Sequence, residues 1–236
     1  MQTLITRLRP LARWMPERLK QPVRGLVRDW QLRRAVERIS ALPPGHLPTH
    51  QLLEELRAGW GNTGYAARPE YLRELMERAV STPGPILECG SGVSTLLLGL
   101  LAGRRGVETW TLEHLPQWHA RVSGALRRNR IPHVHDCLAP LQDYGTGYSW
   151  YTPPVERMPA AFQLVICDGP PGETPGGRYG LWPVLGARLA PGAVILLDDA
   201  DRPGEEEVLR RWSTEARMRV DMRRVSGGAY AIITHG

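Results

Sequence analysis

The sequence predicts an α/β fold: a doubly wound, mostly parallel sheet preceded by an N-terminal helical extension. Three observations carry this. Short apolar runs of strand length recur through the last two thirds of the chain and alternate with helix-length amphipathic patterns. Several of these runs end at or beside an acid and a glycine- or proline-rich turn, the usual setting of a ligand at the carboxyl end of a parallel sheet. Finally, 236 residues suffice for one sizeable domain with its own core and a modest extension, but not for two catalytic domains.

In chain order, apolar residues from Leu4 to Ile39 recur at helical spacing with arginines between them, and Pro10, Pro16 and Pro22 are expected to break this stretch into short basic helices. ALPPGHLPTH, residues 41–50, reads as a linker, so the expected division is an arm over 1–50 and a domain over 51–236. A second helical region covers 51–80 and is interrupted by the glycine-rich WGNTGYAA at 60–67. PILEC at 85–89 is a buried strand, followed by a helix over 94–102; VETWTLEH at 107–114 is the next strand, followed by a helix over 116–129. Further strands are expected near 132–135, 163–168, 193–198 and 229–234, with helices near 179–189 and 204–216. Such alternation implies right-handed crossovers and helices on both sheet faces.

Charge is distributed unevenly. Residues 1–40 hold ten Lys and Arg against Glu17, Asp29 and Glu37, whereas the rest holds twenty basic and twenty-one acidic residues. A basic arm on a nearly neutral domain argues against a nucleic-acid enzyme and is expected to pack on its own domain or on a dimer partner, or else to make peripheral contact with an anionic membrane surface. Lys20 is the only lysine, which excludes a phosphate-loop lysine, a Schiff base or a lysine general base in the domain. The three cysteines, Cys89, Cys137 and Cys167, lie in or beside apolar runs, and with no apolar run of spanning length and no secretory pattern they point to a soluble protein in a reducing, cytoplasmic compartment. No GxSxG elbow occurs, and His133 and His135 lack partners at zinc spacing.

The candidate site residues follow the strand ends. In ILECGSGVST, residues 86–95, Glu88 precedes a turn in which Gly90 and Gly92 allow close backbone approach, with Ser91, Ser94 and Thr95 alongside; Thr95 stands where a dinucleotide fingerprint would have its third glycine. Glu113 in TLEH lies twenty-five residues beyond Glu88, at the position from which an acid accepts hydrogen bonds from ribose hydroxyls. Asp136 follows in VHDCLAPL, and Asp168 ends an apolar run before Gly-Pro-Pro-Gly.

In their order and spacing, ECGSGVST, TLEH, HDCLAPL, CDGPPG and LAPGAVILLDDAD resemble the class I S-adenosylmethionine-dependent methyltransferases, over roughly residues 61–236. The resemblance implies a Rossmann-like sheet of seven strands ending in an antiparallel hairpin, which residues 218–236 would supply. It implies S-adenosylmethionine as cofactor, with Glu88 and the Gly90–Gly92 turn at its methionine portion, Glu113 and the adjacent His114 at the ribose, Asp136 at the adenine, and Asp168 nearby. WGNTGYAA resembles the covering loop of catechol-type O-methyltransferases, which adds Asn62 and Tyr65.

Asp168, Asp198 and Asp199 resemble the metal site of catechol-type and metal-dependent sugar O-methyltransferases, and three carboxylates suit Mg²⁺ or Ca²⁺. Two departures stand against this: Asp199 is followed by Ala200 where that pattern ends in Asp-Asn, and no lysine follows Asp168. Asp168, Asp199 and His114 are the candidates for proton transfer. Trp150, Tyr151, Arg178 and Tyr179 are the candidates for a substrate pocket, and the expected acceptor is a small-molecule hydroxyl. N-methylation of nucleic acid or protein stays open on the basic arm and the Pro-Pro after Asp168, although Gly169 puts that motif out of register. A non-catalytic cofactor-binding scaffold also stays open.

Overall fold

A computed structural model of the protein describes residues 17–61 and 67–235. The described residues form two compact units, the first drawn from 17–41 and 48–61, the second from 42–47 and 67–235.

In the first unit, helix α1 spans Glu17–Ser40 and helix α2 spans His50–Trp60. Pro22 does not divide α1 as its sequence suggests. It lies early in the helix, where its missing N–H costs a single bond, to the carbonyl of Arg18. The helix α2 begins inside the expected linker, because Thr49 caps it by accepting from the Leu52 N–H at 3.3 Å, and it ends on Gly61 in the left-handed conformation. Gly59 lets the two helices meet: a Cβ there would lie 2.4 Å from the Leu32 backbone nitrogen. Beside this contact Leu32, Ala35, Val36 and Ile39 of α1 and Leu52, Leu53 and Leu56 of α2 are buried. Leu26 of α1 is 71% exposed. Among the described residues no helix is long and apolar enough to cross a membrane.

The second unit opens with α3 (Pro69–Ser81), then alternates β1 (Ile86–Cys89), α4 (Val93–Leu101), β2 (Thr109–Glu113), α5 (Pro116–Arg128) and β3 (Val134–Leu138). A small antiparallel hairpin, β4 (Leu141–Asp143) and β5 (Ser149–Tyr151), intervenes before β6 (Phe162–Cys167), α6 (Leu181–Leu185), β7 (Leu189–Leu197), α7 (Pro203–Glu215), β8 (Arg219–Val225) and β9 (Gly228–Thr234). The main sheet has seven strands in the order β3-β2-β1-β6-β7-β9-β8, with only β9 antiparallel to its neighbours. This is the doubly wound sheet expected, with the terminal hairpin supplied by β8 and β9. Strand order reverses between β1 and β6, so the crevice at their carboxyl ends is where such a sheet admits a ligand.

Three local expectations shift. Strand β3 begins at Val134 rather than 132, because Pro132 cannot donate to the ladder and His133 has a positive φ of 59°. The helix expected over 179–189 is a single α-turn, α6, between 3₁₀ turns at Gly177–Gly180 and Gly186–Arg188, since glycines flank it and Pro183 sits inside it. The aromatic segment after β3 is the β4–β5 hairpin rather than a pocket-lining loop. Its turn is closed by Asp143 Oδ1, which accepts from the Gly145 N–H at 2.8 Å, and Trp150 and Tyr151 are wholly buried in the core between the sheet and α6, with Leu181, Leu185 and Trp212.

Candidate active site

Alternation along β1 turns Leu87 and Cys89 into the core cluster and Glu88 to the opposite face, where it lies in register with Thr111 of β2 and Asp136 of β3. Glu88 is fully buried. One carboxylate oxygen accepts from Thr95 Oγ1 at 2.6 Å, and that hydroxyl oxygen accepts from the Gly92 N–H at 2.9 Å, so the acid organises the glycine turn from beneath. The other oxygen, Oε1, has no hydrogen-bond partner among the described residues. Burial pushes the Glu88 carboxyl up to about 7, against the opposing pull of the Ser94, Thr95 and Thr111 hydroxyls.

Gly90 has φ 89°, and a Cβ on it would press the Gly169 backbone at 3.2 Å, so the turns after β1 and β6 touch through two glycines. Gly92 faces open space: the nearest atom to an added Cβ is Ser94 Oγ at 3.9 Å. Glu113, at the end of β2, accepts from Ser91 Oγ at 2.7 Å and from the Leu115 N–H at 2.9 Å, and His114 Nδ1 lies 3.2 Å from it. Trp118 of α5 donates from its indole to the Ser91 carbonyl at 2.5 Å, which nothing in the sequence patterns signals. Glu88, Gly90, Ser91, Gly92, Ser94, Thr95, Glu113 and His114 are thus gathered around the turn above β1 and β2. Asp136 is held by α5, where Ser123 Oγ donates to it and His119 Nε2 lies 3.3 Å away. Asn62 and Tyr65 lie outside the described residues.

The acids Asp168, Asp198 and Asp199 converge at the ends of β6 and β7, with one oxygen of each within 4.8 Å of the others. Their partners are arginines. Arg178, only 2% exposed, donates to the Asp168 carbonyl at 3.0 Å, to Asp168 Oδ1 at 3.4 Å and to the Asp198 carbonyl, and lies 3.6 Å from Asp199 Oδ2 and 3.5 Å from Glu205 Oε1. Arg68 bridges Asp198 Oδ1 at 3.2 Å and Asp199 Oδ1 at 3.0 Å, and Arg202 reaches Asp199 Oδ2 at 2.8 Å. Asp199 itself has a positive φ of 53°. The donor set has the right atoms for a hard cation, but guanidinium groups already engage it, so Asp168, Asp198 and Asp199 do not fit a divalent ion as they stand. Arg178, expected at a substrate, is instead the buried hub of this cluster, a role its sequence context did not signal. Tyr179 turns away to donate to Glu215 at 2.6 Å, under the Arg211 guanidinium.

Burial raises the Asp168 carboxyl above its ordinary range; Arg178 works against this, and Asp198, Asp199 and Glu88 add to it. Its side chain is 36% exposed, and its second oxygen has no hydrogen-bond partner among the described residues.

Seven strands in this order, a glycine turn above a strand-end acid at the switch point and a terminal antiparallel hairpin make a Rossmann-like fold of the methyltransferase type. Solved structures agree. The chain superposes on an O-methyltransferase from Bacillus cereus solved with SAH (TM-score 0.55, 15% identity, 80% of this chain and 93% of that one) and on a methyltransferase from Geobacter sulfurreducens (TM-score 0.57, 12% identity, 81% and 92%). It also superposes on cofactor-bound Rv0187 from MTB (TM-score 0.53, 17% identity, 86% and 88%). The chain matches no family model and no curated protein.

Proposed function

We propose that the protein is an S-adenosylmethionine-dependent methyltransferase that acts on a hydroxyl group of a small molecule. The observation that carries this is the pairing, at the switch point of the sheet, of a buried Glu88 with an unpartnered oxygen and an open Gly92 turn, with Glu113 one strand away. An orphaned buried carboxylate oxygen calls for a donor, and a cofactor α-ammonium supplies one with the matching charge. Glu113 presents two acceptor oxygens at the strand end where a ribose diol is held. Ser91 Oγ and the Leu115 N–H engage them, so a ribose diol would need the Ser91 hydroxyl to give way.

When bound, S-adenosylmethionine supplies a sulfonium methyl group to an in-line nucleophile. The chain's own contribution is to orient and to accept a proton. Asp168, partly exposed beside the glycine turn, with a raised pKa and a free oxygen, would accept the proton of the acceptor hydroxyl. The near-neutral charge of residues 41–236 favours a small acceptor over nucleic acid, and the Bacillus cereus O-methyltransferase shares the fold. Calorimetric titration with S-adenosylmethionine and SAH tests the cofactor assignment. Saturable binding by the wild type and its loss, about tenfold or more, in Glu113→Ala is the expected result; equal affinity in that variant removes the ribose assignment.

A further inference from the structure

We propose that the resident counter-ion of the Asp168, Asp198 and Asp199 cluster is a pair of guanidinium groups, Arg178 and Arg68, and that the protein holds no divalent cation there. The charge argument stands apart from the methyl-transfer reading; only its consequence for the acceptor rests on that reading.

Arg178 is the centre of the arrangement. Its guanidinium stays protonated at any working pH and is 2% exposed, so burying it requires carboxylates and carbonyls around it. It finds the backbone oxygens that end two adjacent strands, those of Asp168 and Asp198, together with the carboxylates of Asp168, Asp199 and Glu205. A cation placed among the aspartate oxygens would sit beside a fixed positive charge that cannot be neutralised or solvated.

Arg68 closes the opposite side. One nitrogen spans Asp198 and Asp199, and the other donates to the Gly227 carbonyl at 3.0 Å. The β8–β9 turn is shaped around it: a Cβ at Gly228 would lie 2.3 Å from the Arg68 guanidinium. The arginine therefore fills a cleft that a side chain at 228 would close. With Arg202 on Asp199 Oδ2, three guanidiniums face four carboxylates, counting Glu205. The Asp199 N–H at 2.8 Å further occupies Asp198 Oδ1. A hard dication needs several uncompensated oxygens, and this cluster offers few. Transfer to a hydroxyl acceptor then depends on Asp168 as proton acceptor rather than on a metal to acidify the oxygen.

Electron paramagnetic resonance of Mn²⁺ titrated into the full chain tests the proposal without any acceptor. The wild type is expected to bind no Mn²⁺ saturably below roughly 1 mM, and EDTA is expected to leave its melting temperature unchanged. Arg68→Met and Arg178→Met, each removing one fixed positive charge, are expected to tighten Mn²⁺ binding about tenfold or more, and Asp199→Asn added to either should abolish the gain. Should Arg178→Met fail to fold, Arg68→Met carries the test, since that side chain is partly exposed. Stoichiometric micromolar Mn²⁺ binding by the wild type that Asp199→Asn removes overturns the proposal, as does a folded Arg68→Met that gains nothing. SAH affinity measured on the same samples reports separately on the cofactor site.

Discussion

A titrating Glu88 would couple the proposed cofactor site to pH. Its carboxyl is raised from near 4.5 to about 7 by burial, so the folded protein binds a proton that the unfolded chain has released between those values. Stability from this group is therefore present below about pH 4.5 and is lost as pH rises to 7. Glu88→Gln lacks the titration, and denaturant melts of the two proteins should show the variant gaining on the wild type by on the order of 2 to 3 kcal/mol between pH 5 and pH 8. A gap that does not change with pH contradicts a buried, titrating Glu88. A cationic cofactor group beside the same carboxylate favours its ionised form, so SAH affinity in the wild type should rise with pH up to about 7 and binding near pH 6 should release a proton. Calorimetry in two buffers of different ionisation enthalpy reads that release directly.

Single elements meet here through small contacts with little slack. The turns after β1 and β6 touch at Gly90 and Gly169, and a Cβ on Gly169 would lie 2.4 Å from the Tyr151 hydroxyl and 3.1 Å from Gly90 Cα. Gly169→Ala should therefore cost about 1 to 3 kcal/mol of stability through overpacking and weaken SAH binding in the same variant, since it displaces the Gly90 turn of the proposed cofactor site. Urea melts and calorimetry check both; a loss of stability with unchanged SAH affinity would uncouple the contact from the site. The β4–β5 hairpin shows why element-level reading falls short in places. YSWYTPP has the aromatic content of a pocket lid and equally that of a buried strand, because both are amphipathic surfaces that differ only in what covers them. Here Trp150 and Tyr151 are covered completely. Strand β3 was displaced by a left-handed His133, a conformation that no periodicity signals.

At the scale of the whole chain, charge separates the two ends. Ten of the thirty basic residues lie in the first forty positions, and α1 carries an exposed Leu26 and Val23 beside Arg24. Peripheral binding to anionic lipid is one proposed use of this arm, beside packing on its own domain or on a second copy of the chain. Sedimentation with phosphatidylglycerol vesicles should retain the full chain at low salt, and a chain lacking residues 1–40 should stay in the supernatant; salt-independent retention of both would dismiss the arm as a membrane contact.

The placement of much of the candidate site was legible in the linear sequence. Glu88, the glycine turn and Glu113 were readable because a parallel sheet sends consecutive strand ends to one edge, so an acid ending each apolar run declares its own position. Six strands of the main sheet followed from the same alternation, whereas the seventh, β8 of the terminal hairpin, was expected only through the resemblance to the methyltransferases. What only the tertiary structure decided is which counter-charges the second acidic group meets. Asp168, Asp198 and Asp199 look like metal ligands in the sequence because their acidity is visible at a glance, whereas their counter-charges come from Arg68, 130 residues before Asp198, and from Arg178 on an irregular turn. Electrostatics depends on distance in space rather than along the chain, and only once the chain closes Arg68 over the β8–β9 turn and buries Arg178 between two strand ends do those three aspartates acquire arginines as partners.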